Sequence, residues 1–251
     1  MLDIIYEDNH LLALLKPSGL ATMGLPEGEA TLLTLAKKYI KHKYNKPGEV
    51  YLGVVSRLDV PVSGVVLFAR TSKAAARLNE QFRNHTVEKI YLAVVEGAIF
   101  PAEGDLVGNI CEDKRHRKVK LTDDDSGKES RLRYCVLGRV GANSLIEVDL
   151  LTGRKHQIRA QLAAHGFPIL GDIKYGAKNK FAPNINHKNK NKREFVLQKN
   201  KNKNSCIALH AYRLSVDHPI TGNRITFETP HPLLSRELPQ ILSLRKSERT
   251  C

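Results

Sequence analysis

Apolar residues in this chain arrive in short runs, each broken by Gly, Pro, Asn or Asp, and that rhythm decides most of what it can fold into. No run approaches the ~18 residues that a membrane-crossing helix requires. IIYEDNHLLALLKPSG reads as two short strands around an Asp-Asn turn, closed by Lys16-Pro17-Ser18-Gly19. TLLTLAKKYIKHKY predicts a helix over 31–44, with Leu32, Leu35 and Ile40 at helical spacing behind Thr31 as N-cap. Val65–Ala69 looks like a buried strand, and a helix follows from about Lys73 to Arg83 with Ala76, Leu78 and Phe82 inward. Val87–Val95 is strand-like, and Ser144–Leu151 alternates, with Ile146, Val148 and Leu150 on one face and Glu147 and Asp149 on the other. Thr152-Gly153 opens a helix that holds Ile158 and Leu162 and ends at Gly166 and Pro168. IALHAYRLSVDH and NRITFETP close the pattern as strands joined by a Pro-Ile-Thr-Gly-Asn turn. Strands outnumber helices and hairpin turns are frequent, which predicts an α+β fold around a mixed, mainly antiparallel β-sheet.

The length of 251 residues with 41% hydrophobic side chains is enough for a sizeable core, and a single domain over 1–251 is expected. The N-terminus, MLDIIYEDNH, carries acids where a targeting peptide carries Arg or Lys, so the mature chain is expected to begin at or near Met1. Cys111, Cys135, Cys206 and Cys251 are scattered, with neither a disulfide framework nor zinc spacing, which fits a cytoplasmic protein.

The formal net charge of +14 attracts polyanions, of which nucleic acid is the usual one in a cytosol. The excess is uneven. From Lys178 to Lys203, nine Lys or Arg face only Glu194, a net +8 in an Asn/Lys-rich stretch without apolar periodicity. It reads as an exposed insertion at about 178–204. A second cluster runs from Lys114 to Lys120. Each cluster is equally readable as a solvated loop.

Two segments hold polar residues where strand or helix periodicity does not ask for them. Ser56-Arg57-Leu58-Asp59-Val60-Pro61-Val62-Ser63-Gly64 lies between the apolar runs LGVV and VVLFA. A carboxylate there is partly desolvated, near an arginine and on a Pro/Gly-restricted backbone, which suits an oriented, reactive group. The alternative is that Asp59 caps a turn with Arg57 as its surface partner. Gly153-Arg154-Lys155-His156-Gln157-Ile158-Arg159 places cations in the first turns of a helix, where the dipole disfavours them. Either an anion holds them there or the face is simply solvated.

These residues carry a resemblance. SRLDVPVSG, then EKIYLAVVEG, then GRKHQIRAQLAAHGFPILGDIKYG resemble the principal motifs of the RluA family of RNA pseudouridine synthases. Its pattern reads H-R-L-D-x-x-T-S-G, K-x-Y, and G-R-T-H-Q-[IL]-R with a downstream G-x-P-[IL]-x-G-D. YEDNHLLALLKPSGL and LHAYRLSVDHPITGNRITFETPHP are similar to the family's N-terminal strand pair with K-P-x-G and to its L-H-A strand. The resemblance covers nearly the whole chain except the basic insertion.

The resemblance implies the pseudouridine synthase fold and isomerisation of uridine in ribosomal or transfer RNA, without metal or cofactor. N1–C1′ breaks, the base turns and C5 bonds to C1′. It assigns the catalytic role to Asp59. Tyr91 then packs on a flipped uracil, Arg159 pairs with the aspartate, Arg57 contacts RNA and Leu209 is the apolar residue under the base. A monomer with RNA as partner is expected, with no membrane association and no obligatory protein partner. The N-terminal RNA-binding domain of many relatives is not expected before Met1. Ser56, Val62 and Lys155 stand where the family has His, Thr and Thr; the first two bear on how the Asp59 loop is held. Two other classes compete: a catalytically silent RNA-binding protein that keeps the fold, and a metal-dependent hydrolase using Asp59. The latter lacks a second carboxylate near Asp59 in sequence.

Overall fold

The computed structural model describes residues 2–26, 28–113, 115–116, 118–124, 127–181 and 206–229, which divide into two compact units. Among these residues are eleven strands and three α-helices. No helix among them is long and apolar enough to cross a membrane.

The first unit takes the chain up to Lys89, with Cys206 and Arg213–Thr229. Strands β1 (Asp3–Glu7) and β2 (Leu11–Lys16) form the expected hairpin, whose turn is tied by the Asp8 carboxylate accepting from the backbone N–H groups of His10 and Leu11. Strand β4 (Ser63–Ala69) pairs antiparallel with β2, and the two-residue β3 (Gly53–Val54) pairs with β4. The unbroken apolar runs of β2 and β4 have a simple cause: both faces are covered. Leu11, Ala13, Val65 and Leu67 pack with helix α2 (Ser72–Arg83), while Leu12, Leu14, Val66 and Phe68 pack with α1 (Leu32–Lys43).

Helix α1 starts at the expected Thr31, whose side chain accepts from Thr34 N while Thr34 Oγ1 accepts from Thr31 N, a reciprocal capping box. In α2 the inward residues are Ala74, Ala75 and Leu78, with Phe82 half-buried; Ala76 is exposed. Ala76 and Leu78 are two positions apart, about 200° around a helix, so they cannot share a face. The closing hairpin joins β10 (Leu209–Asp217) to β11 (Arg224–Glu228), with Leu214 opposite Phe227.

The second unit takes Ile90 onward and Ile207–Tyr212, so β5 (Glu88–Val95) and β10 both cross the boundary. Here β5 pairs with β9 (Asn143–Leu150), β9 with β8 (Lys128–Val140), β8 with β6 (Glu103–Asp113) and β6 with β7 (Lys118–Thr122), all antiparallel. The alternation read in 144–151 holds: Ile146, Val148 and Leu150 are buried and Glu147 and Asp149 are half-exposed. Strands β6, β7 and β8 have no counterpart in the sequence reading. Part of the Lys114–Lys120 cluster is strand β7, in which Val119 is buried against Ile110 and Ala160; Lys114 and Arg117 lie outside the described residues.

Helix α3 runs only from Gln157 to Ala164, not from Gly153. Its start is delayed because His156 adopts a left-handed conformation, φ 54°, which a helix interior does not admit. The Gln157 side chain fixes the preceding turn, accepting from Arg154 N and from Thr152 Oγ1. Arg154, Lys155 and His156 therefore precede the helix, and Arg159 alone of the four basic residues sits inside it. Of the basic insertion, Lys178 and Asn179 are anchored through their backbone N–H groups to the Glu96 carboxylate. These bonds outweigh burial and hold Glu96 below its ordinary pKa. The rest of the insertion, from residue 182, lies outside the described residues.

Candidate active site

The Asp59 loop connects β3 to β4 with little regular structure, and it is pinned to the rest of the first unit through the Ser56 side chain and the backbone groups of Leu58 and Val60. Ser56 Oγ accepts from Leu67 N at 2.8 Å. Thr22 Oγ1 accepts from Leu58 N at 3.2 Å and donates to Leu58 O at 2.9 Å, so one buried hydroxyl satisfies both backbone groups of the residue before Asp59. Val60 O, on the other side, accepts from Gly19 N at 2.7 Å and from Lys16 Nζ at 3.3 Å. The turn itself closes with Val62 N donating to Asp59 O.

Side chains around this loop differ in exposure: Arg57 and Val60 are exposed, Asp59 is half-buried, and the half-buried Leu58 packs among Leu12, Leu14 and Phe68. Val62 is buried. Ser56 still ties the loop to β4 where the family pattern has His, and Val62 packs where it has Thr. Asp59 is thus a carboxylate at the rim of a core, on a backbone fixed both before and after it.

Lys16 has no place among the residues singled out from the sequence, although it opens the K-P-S-G segment. It ends a strand of leucines, is fully buried, and its Nζ donates to Pro17 O, Leu20 O and Val60 O at 3.0, 2.7 and 3.3 Å. An ammonium has three N–H donors, and here it meets three carbonyls. Burial pushes its pKa down to about 7, against the opposing pull of Asp59 and Cys206. The signal in the sequence is a lysine that ends the otherwise apolar run LLALLK.

Tyr91, Arg159 and Leu209 belong to the second unit. Tyr91 lies on β5 opposite Val148 and is half-buried. Leu209, at the start of β10, is buried; just before it, Ala208 N donates to Leu170 O and Ala208 O accepts from Val94 N. Arg159 is buried and clamped by Asp172, which accepts from Nε at 2.7 Å and Nη2 at 2.9 Å. Its guanidinium also lies 4.8 Å from the centre of the Tyr175 ring. Tyr175 OH accepts from Val119 N and contacts His156 Nδ1 at 2.9 Å, so the ring is held in place. A carboxylate of the chain itself is therefore one anion that the basic segment holds. Asp172 lies in the G-D pair of GFPILGDIKYG, a segment matched to the family without a role for its aspartate.

Replacing Asp172 by Asn keeps one carbonyl oxygen for the guanidinium but removes the charge. It should lower stability by about 2–3 kcal/mol, less than the 3–5 expected when a partner of a buried pair is removed outright. Urea unfolding of the two proteins measures this, and equal midpoints would show that the pair is not what holds Arg159.

Comparison with known proteins bears on the family of the chain. Residues 10–164 match the family described as RNA pseudouridylate synthase. The chain is 33% identical over 250 residues to the ribosomal large subunit pseudouridine synthase D of Pseudomonas aeruginosa, covering 99% of this chain and 73% of that protein. It is 33% identical over 227 residues to the dual-specificity RNA pseudouridine synthase RluA of Haemophilus influenzae, covering 90% and 91%. Among solved structures, human RNA pseudouridylate synthase domain containing 4 superposes with a TM-score of 0.69 at 25% identity, covering 91% of this chain and 88% of its own. The matched region takes in the Asp59 loop, β5 with Tyr91 and all of α3 with Arg159, and the chain belongs to the RluA family of RNA pseudouridine synthases.

Proposed function

We propose that this enzyme isomerises a uridine in ribosomal RNA, with Asp59 as the nucleophile acting on a nucleotide flipped out of its stack. The observation that carries the reading is the loop that presents Asp59. It is tied through the Ser56 side chain and the backbone groups of Leu58 and Val60, on both sides of the one carboxylate that the family motif makes essential. The names of relatives favour ribosomal RNA, and a transfer RNA is the second substrate class to test.

The reaction is an isomerisation and needs no co-reactant. The Asp59 carboxylate attacks the ribose or assists departure of the base at N1. The base turns, C5 bonds to C1′, and the proton leaving C5 is balanced by one gained at N1. None of this fits inside a stacked helix, so the uridine must leave it at a cost of a few kcal/mol, lowest in loops. Tyr91, Arg159 and Leu209 take the roles their motifs imply around uracil and carboxylate, and Arg57, exposed beside Asp59, meets the RNA. We take residues 1–251 as one catalytic domain, acting as a monomer in the cytoplasm.

The test is tritium release from transcripts carrying 5-tritiated uridine. The purified protein should release tritium from large-subunit ribosomal RNA at a mappable position. Release confined to transfer RNA would move the target, and none from either would overturn the reading.

A further inference from the structure

Helix α1 carries Lys37, Lys38, Lys41, His42 and Lys43 in twelve residues without one acid, and Lys46 follows. Leu32, Ala36 and Ile40 bury one side. Lys37, Lys38 and Lys41 fall on the other: Lys38 and Lys41 are exposed, Lys37 half-buried, and Lys37 and Lys41 stand one turn, about 6 Å, apart. Lys43 is different. It is drawn aside to Glu7 at 2.7 Å and lies over the Tyr39 and Tyr44 rings.

Elsewhere on the described surface, several basic side chains meet acids. Arg133 pairs with Asp105, Arg131 with Glu129, Lys155 with Glu112 and Arg224 with Asp217. Among the described residues, Lys37, Lys38 and Lys41 have no carboxylate within 4.0 Å. The positions one turn before them hold Leu33, Thr34 and Lys37, where a glutamate would have supported the helix. The helix dipole accounts for cations in the last turn, Lys41 to Lys43, and not for Lys37 and Lys38 in the middle. Like charges one turn apart weaken an isolated helix, so stability gives no reason for this stripe.

We propose that the outer face of α1 is a second RNA contact, gripping the phosphate backbone of the substrate outside the modified nucleotide. Charge complementarity selects the partner: a regular array of ammonium groups without sequence-reading side chains fits a phosphate run, and it adds affinity without base specificity. This rests on the reading that the substrate is RNA.

The test compares wild type with Lys37→Gln/Lys38→Gln/Lys41→Gln. Gln has nearly the helix propensity of Lys, so α1 stays folded. Binding of a fluorescent large-subunit ribosomal RNA transcript is titrated at a series of salt concentrations, and tritium release is followed separately. The triple variant should bind on the order of tenfold more weakly at low salt. Its slope of log affinity against log salt should be shallower by about 2–3, at roughly 0.7–0.9 for each phosphate no longer neutralised. Turnover at saturating RNA should be unchanged, and the Arg version of the triple variant should recover the slope. An unchanged slope in an active enzyme would overturn the proposal. A changed slope in a protein that releases no tritium would support this surface and sink the substrate reading alone.

Discussion

Asp59→Asn should abolish tritium release, with turnover falling by on the order of 10⁴-fold or more, the scale on which removal of a nucleophile acts. The substitution is nearly isosteric and keeps a side-chain carbonyl oxygen, and the loop is also held through Ser56 Oγ, Thr22 Oγ1, Gly19 N and Lys16 Nζ. The unfolding midpoint and RNA affinity should therefore stay close to those of wild type. Loss of turnover with retained binding assigns the group to the chemistry. Activity within tenfold of wild type would remove Asp59 from the mechanism.

The second large effect concerns Lys16. Lys16→Met keeps the volume but leaves the Pro17 and Leu20 carbonyls without their donor, while Val60 O retains the Gly19 N–H. An orphaned buried carbonyl costs about 1–3 kcal/mol, partly offset because a buried charge is no longer desolvated. Only the Leu20 carbonyl is buried, so a net loss of about 1–2 kcal/mol is expected.

The pH dependence makes the test sharper. The folded-state pKa of Lys16 is about 7 and its ordinary value is 10.5, so unfolding takes up a proton between those limits. Stability from this group therefore rises with pH through that window, by at most about tenfold in the unfolding equilibrium per pH unit, and is flat below it. Wild type should show this rise between pH 7 and 10.5 and Lys16→Met should lack it. Parallel stability curves for the two proteins would show that Lys16 is not titrating in the fold.

Local chemistry is readable where one force dominates. The hairpin at Asp8, the cap at Thr31 and the alternation of 144–151 each follow from a single rule, and each stands in the structure. Ala76 faces out although it is small and apolar, because helical spacing forbids it a place beside Leu78. The start of α3 is hidden because nothing in Gly153-Arg154-Lys155-His156 announces that a histidine will turn left-handed. Strand β6, EGDLVGNICED, gives no clean period of two because both its faces mix polar and apolar residues. Asp59 is visible through its motif. Lys16 and Asp172 are in view too, yet their roles depend on carbonyls and a guanidinium that the chain brings to them only on folding.

One junction in the first unit bears on how RNA would be met. Glu7, at the end of β1, accepts from Tyr39 OH, Lys43 Nζ and Tyr44 OH, and pairs with Arg70 at 3.2 Å. A single carboxylate thereby fastens the last turn of α1 to the sheet, and Arg70 stacks 4.7 Å from the centre of the Tyr44 ring to close the joint. The lysines on the helix's outer side are therefore mounted on a braced girder rather than a tether. Their spacing is set before any partner arrives, so the entropy of arranging the helix backbone is lost during folding and not at the encounter.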